Sequence, residues 1–192
     1  MISLVSIPKV IAVVAGLSAA IAVLLASVTS LTPVDAWKLS AIIEIVVLVF
    51  CIWGWRKLWQ WVPKLNDWLF PDLNGTWRAN IDWVWGDKHG VAEGLVHVNQ
   101  NFFRLSLELE TPKSKSQTLS VAVKRDAESN RPMLHYIYRC SPNQSLLEAE
   151  PLFDGAAVLL VGLKNNSLLE GNYWTSRATR GHFTFRRVWP TP

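Results

Sequence analysis

Charge is nearly absent from the first third of this 192-residue chain, and cysteine is scarce throughout. Up to residue 64 the charged side chains are Lys9, Lys38, Arg56, Lys57 and Lys64 against Asp35 and Glu44, which accounts for most of the formal net charge of +4. The remainder is close to neutral, so the basic pI of about 9.2 does not mark a nucleic-acid-binding surface, and no DNA or RNA polymer is expected as a partner. Cys51 sits inside an apolar run and Cys140 far along the chain. Two such thiols build no disulfide framework and suit a reducing compartment. His89, His97, His135 and His182 are scattered singly without ligand spacing, so no metal and no other cofactor is expected. There is no repeat of fixed period, no low-complexity stretch, no glycine-rich phosphate loop and no local Ser–His or paired-carboxylate arrangement. Those absences direct the reading away from an enzyme and towards a binding module.

What the first third has instead is two long apolar runs. Residues 10–27 read VIAVVAGLSAAIAVLLAS, close to the roughly twenty residues that cross a bilayer. Residues 39–55 read LSAIIEIVVLVFCIWGW and continue helically into RKLWQW. The link between them, VTSLTPVDAWK, is too short to fold, so the helices return antiparallel. A cleaved secretory signal fits poorly, because the first run is long, has only Lys9 as a basic flank, and is followed by a second span. Residues 1–62 are therefore expected to form a transmembrane hairpin with spans at about 10–28 and 39–59, followed by an interfacial linker at 63–72. Lys9 on one side and Arg56, Lys57 and Lys64 on the other place both ends in the cytoplasm of an inner-membrane, multi-pass protein. Trp53, Trp55, Trp59, Trp61 and Trp68 crowd the exit of the second span, where indoles favour the headgroup layer; the alternative is that some pack on the domain.

Two features of the hairpin exceed an anchor. Ala12, Gly16 and Ala20 lie four apart on one helical stripe, which suits close approach of helices, either in self-association or within the hairpin. Glu44 is an acid inside a span, which faces protein or water, or snorkels to the interface. Both features make candidates for oligomerisation.

From residue 74 the pattern changes to short alternating runs. They are NGTWRANIDWVW, VAEGLVHVNQ, FFRLSLELET, TLSVAVKR, MLHYIYR, FDGAAVLLVG, LLEGNYWTSR and HFTFRRVW, separated by turns such as GDKHG and PKSKSQ. Period-two alternation is clear at Trp77, Ala79, Ile81 and Trp83, at Phe103, Leu105, Leu107 and Leu109, and at Leu134, Tyr136 and Tyr138. Strands joined by such short turns cannot be parallel. An antiparallel meander that closes on itself removes its edges, and eight strands leave room for side chains or one small ligand. The expected fold class is membrane-anchored all-β: a two-helix transmembrane hairpin, then a small eight-stranded antiparallel up-and-down β-barrel over residues 73–192, in the cytoplasm.

The seventh run carries unusual chemistry. Gly171, Tyr173, Thr175 and Arg177 share a face, and Thr179 and Gly181 continue the step. If that face looks inward, a phenol, a hydroxyl and a guanidinium line the wall. An inward arginine needs an anionic partner, such as Glu108, Glu110, Asp154 or a ligand phosphate; otherwise it points out at the rim.

Two N-terminal spans followed by LNGTW, the T-x-x-S-x-S stretch of Thr111, Ser114 and Ser116, the L-x-Y-x-Y segment of Leu134, Tyr136 and Tyr138, and G-x-Y-x-T-x-R-x-T-x-G over residues 171–181 make a combination. It resembles the bacterial two-transmembrane, β-strand-rich effectors of cyclic-oligonucleotide-based antiphage signalling (CBASS), over nearly the whole chain. The resemblance implies a receptor whose barrel binds a cyclic dinucleotide made by a partner nucleotidyltransferase (CD-NTase). Binding then drives homo-oligomerisation, and the spans disrupt the lipid bilayer and kill the cell. It makes Tyr173, Thr175, Arg177 and Thr179 pocket candidates, with Tyr136 and Tyr138 behind them. A membrane-tethered, lipocalin-like carrier of an apolar ligand is the competing reading.

Overall fold

A computed structural model describes residues 7–28, 32–50, 54, 57, 60–61, 70–101, 104–143, 151–162 and 166–188. Helix α1 (Ile7–Val28) and helix α2 (Pro33–Val49) pack on each other. α2 begins inside the segment expected to be a plain link. Thr32 caps it, accepting a hydrogen bond from the Asp35 N–H (3.3 Å) with Pro33 next, so the local chemistry of the link starts the helix early. The side chains most buried between the helices are small: Ser18, Ala36 and Ser40. Large apolar side chains such as Val13, Leu24, Ile42 and Ile45 are exposed, and so are Ala12, Gly16 and Ala20, with open space beside Gly16. The stripe therefore lies off the α1–α2 contact, while Glu44 is half-buried. Among the described residues no helix is long and apolar enough to cross a membrane. Trp61 is exposed, whereas Trp53, Trp55, Trp59, Trp68 and most of the expected linker lie outside the described residues.

The β-rich part is a closed barrel of eight strands in sequence order: β1 (Gly75–Trp85), β2 (Lys88–Gln100), β3 (Leu105–Glu110), β4 (Ser114–Arg125), β5 (Pro132–Pro142), β6 (Phe153–Val161), β7 (Leu168–Thr175) and β8 (Arg180–Arg187). Every neighbouring pair is antiparallel, and β8 pairs with β1 from Arg187↔Trp77 to Arg180↔Val84, so the meander closes as the alternation implied. Trp77, Ala79, Ile81, Leu134, Tyr136 and Tyr138 all face inward and are buried. Phe103, at the start of the third alternating run, lies outside the described residues.

Several boundaries differ from the sequence pattern. The first turn is two residues, Gly86–Asp87, with Gly86 at φ +57°, and β2 therefore starts at Lys88 inside the expected GDKHG turn. β4 starts at Ser114 inside the expected PKSKSQ loop, because its inward residues there are serines and show no apolar alternation. A bulge at Leu119, between Thr118 and Ser120, then flips the parity so that Val121 points inward. β7 ends at Thr175, where a turn begins with Ala178 at φ 60°, so Arg177 sits in the turn and not in the wall.

One end of the barrel is closed. The segment before β1 folds across it: Phe70, Pro71 and Leu73 are buried, and the Trp77 indole donates to the Leu73 carbonyl at 3.0 Å. Gln100 locks the segment in place, accepting from the Leu73 N–H (2.8 Å) and donating to the Pro71 carbonyl (3.2 Å). Asn74 completes the lock by exchanging two hydrogen bonds with the Gln100 backbone at 2.7 and 2.9 Å. The Arg187 guanidinium covers the Trp77 ring at 5.3 Å and donates to the Asn74 carbonyl. Buried polar groups at this end are thus paired, as burial requires.

Candidate functional site

The opposite end of the barrel is open. There a cavity of about 230 Å³ enters the lumen. Its walls are aromatic: Trp83 from β1, Tyr138 from β5, Phe153 from β6, Tyr173 from β7 and Phe183 from β8. Tyr173 and Phe183 stack at 4.2 Å with their planes 11° apart, and Tyr138 lies 6.2 Å from Phe183. Hydroxyls from Thr111, Ser114, Ser116, Thr175 and Thr179 line the same space, and Lys113 is the sole charged side chain among its described lining residues. Cys140, buried, is also at the wall. Among the described residues no group of three or more His, Cys, Asp and Glu could hold a metal ion.

The hydroxyls follow from how β3 and β4 meet. These strands pair directly at only Leu109↔Ser116 and Glu110↔Lys115. Deeper in, side chains replace the missing ladder: Thr118 Oγ1 donates to the Leu107 carbonyl (2.7 Å) and accepts from its N–H (2.8 Å), and Ser116 Oγ accepts from the Leu109 N–H (3.3 Å). The Tyr136 hydroxyl donates to the Leu107 carbonyl at 3.3 Å. Thr111 Oγ1 accepts from the Ser114 N–H at 3.0 Å and holds the β3–β4 turn that presents Lys113. Burial pushes the Tyr136 and Tyr173 phenols up to about 12 and raises that of Tyr138 as well, so all three remain neutral hydrogen-bond donors at physiological pH.

The candidate residues separate into groups. Tyr138, Tyr173, Thr175 and Thr179 meet at the cavity. Tyr136 stacks under Tyr138 at 5.0 Å and serves the β3–β4 seam. The Thr175 hydroxyl accepts from the Thr179 N–H (3.2 Å), which holds the β7–β8 turn. Arg177 is in the β7–β8 turn and not in the cavity lining: its guanidinium sits 4.3 Å from the centre of the Phe153 ring and donates to the Pro151 carbonyl at 2.6 Å. Of the acids considered for it, Asp154 instead pairs with Arg139 at 2.8 Å and Glu110 with Lys115 at 2.7 Å. Trp83 reads in the sequence as an ordinary inward strand position, Phe183 has no distinguishing signal, and Lys113 lies inside an apparent loop, so none of the three is a site candidate before the structure.

A second space of about 700 Å³ is lined by Asp82, Val84, His89, Arg180 and His182 and shares Trp83 and Tyr173 with the lumen cavity. A closed barrel with one sealed end and an aromatic, hydroxyl-lined mouth belongs to the class of small-molecule receptor barrels. Comparison with known proteins narrows that class. Residues 68–187, which span the whole barrel and its sealing segment, match the family described as Cap15, cyclic dinucleotide receptor domain, and the chain belongs to that family. It is also 23% identical over 133 residues to CD-NTase-associated protein 15 of Staphylococcus schleiferi, covering 69% of this chain and 70% of that protein.

Proposed function

We propose that this chain is a cyclic-dinucleotide-gated membrane effector of CBASS antiphage defence. The observation that carries the reading is the aromatic mouth of the sealed barrel, in a chain of the cyclic dinucleotide receptor family. Planar rings offer stacking faces to a base. The neutral phenols and hydroxyls read polar edges, and Lys113 stands where a phosphate at the lip needs a cation. The messenger comes from a partner nucleotidyltransferase, and the chain itself is no enzyme.

The N-terminal helices act on the inner membrane as two spans with both ends cytoplasmic. Support comes from the apolar runs at 10–27 and 39–55, the placement of Lys9, Arg56, Lys57 and Lys64, and large apolar side chains exposed on both helices. Ligand binding drives self-association through the exposed Ala12, Gly16 and Ala20 stripe, with Glu44 in the assembled interior, and the assembly disrupts the bilayer.

Calorimetry of the full chain in lipid nanodiscs with a panel of cyclic dinucleotides tests the receptor. Binding that weakens in Lys113→Ala and at higher salt is expected. No heat with any member sinks the reading, and co-purified lipid displaced from the lumen would establish the apolar-carrier alternative. Dye release from vesicles on ligand addition tests the effector step.

A further inference from the structure

Three lumen glycines stand directly opposite three of the cavity's rings. Gly90 pairs with Trp83, Gly155 with Tyr138 and Gly181 with Tyr173. A Cβ on Gly90 would lie 2.7 Å from Trp83 Cζ2. One on Gly155 would lie 2.5 Å from the Tyr138 hydroxyl oxygen and 2.7 Å from Cε2. Each ring is therefore laid flat on bare backbone, as aromatic side chains do across from strand glycines. Gly181 differs, because a Cβ there would also strike the Asp82 carbonyl of the neighbouring strand, and Gly171 likewise meets the Val158 carbonyl. Those two serve close strand approach. At Gly90 and Gly155 the three nearest atoms all belong to the facing aromatic side chain.

We propose that Gly90 and Gly155 are specificity-determining positions of the mouth, holding Trp83 and Tyr138 against the wall so that the lumen admits one planar purine base. The inference rests on the cyclic-dinucleotide reading above. A cavity of about 230 Å³ falls below the roughly 300–1,000 Å³ that encloses a drug-sized ligand, so part of a cyclic dinucleotide stays outside. The part that enters is a neutral base, since a phosphate among phenols and aliphatic walls would lack a counter-charge. The phosphates remain at the lip with Lys113. A methyl group on either glycine drives its ring into the lumen and narrows the slot, which a one-ring pyrimidine tolerates better than a two-ring purine.

The test is calorimetry of the full chain in nanodiscs, with cyclic dinucleotides bearing two purines or two pyrimidines, on wild type, Gly90→Ala and Gly155→Ala. Free adenine and cytosine, followed by saturation-transfer NMR, serve as base-only probes. Each variant is expected to lose about tenfold in its purine-to-pyrimidine affinity ratio, the scale set by one misplaced methylene in a pocket. In Gly155→Ala/Tyr138→Leu the smaller side chain clears the clash, and folding recovers. If Gly155→Ala alone does not fold, rescue by shrinking Tyr138 ties the glycine to that ring and Gly90→Ala carries the ratio test, whereas no rescue makes Gly155 a close-approach glycine like Gly181 and overturns its part of the inference. An unchanged ratio while the dinucleotides bind overturns this inference and leaves the receptor reading standing. Adenine uptake without dinucleotide binding, with the ratio shifted in the variants, does the reverse. If wild type takes up neither, both fall.

Discussion

The sealed base and the open mouth of this barrel use the same inward alternation but fill it differently. At the base, Trp77, Leu73 and Leu105 are fully buried, and the Gln100 and Asn74 side chains match the backbone groups that the sealing segment brings inside. At the mouth, rings lie back on glycines, inward positions of β4 are serines, and a cavity remains. Close packing holds a fold together, and unfilled space between rings costs stability while leaving room for a ligand. The contrast puts close packing at one end and an open cavity at the other.

The largest effect expected is at the base. Trp77→Ala removes the fully buried indole, its hydrogen bond to Leu73 and the surface on which Arg187 rests, and should cost about 3–5 kcal/mol in denaturant unfolding. A loss under 1 kcal/mol would erase the distinction between the two ends. At the mouth, Tyr173→Leu keeps apolar bulk but deletes one stacking face. Ligand affinity should fall by about 1–3 kcal/mol while the melting temperature moves little. Unfolding in step with the loss of affinity would mean that the mouth is core after all.

The effect of pH is absent near neutrality and appears only above about pH 10. Tyr136 and Tyr173 titrate from 10.0 in the unfolded chain to about 12 when folded, because burial disfavours the phenolate. Between those values the unfolded chain binds fewer protons, so stability is complete below about pH 10 and declines as pH rises towards 12. Tyrosinate absorbance and tryptophan fluorescence should change together in that window. Phenolate appearing near pH 10 with the fluorescence unchanged would place these rings in water.

Eight strands were legible because hydrophobic alternation of period two survives wherever the inner face is apolar. It failed where the inner face turns polar. Ser114 and Ser116 break the apolar alternation that marks a strand, and the same two residues line the cavity. The two-residue step leaves Arg177 either in the wall or at the rim, because it does not reveal where a strand ends, and the turn at Ala178 puts it beyond β7, over the Phe153 ring. Thr32 and Pro33, inside the segment read as a link for its shortness, start α2, because threonine caps a helix and proline suits its first turn.

By itself the sequence determined the apolar helices, the strand order and the candidate tyrosines and threonines, since these depend on local periodicity and residue type. Which end of the barrel is sealed, that Trp83 and Phe183 join Tyr138 and Tyr173 around one cavity, and that Lys113 guards its lip were decided by the tertiary structure. Closure pairs β8 with β1 and folds residues 70–74 under the base, and no local pattern encodes contacts between segments about a hundred residues apart, such as Arg187 and Asn74.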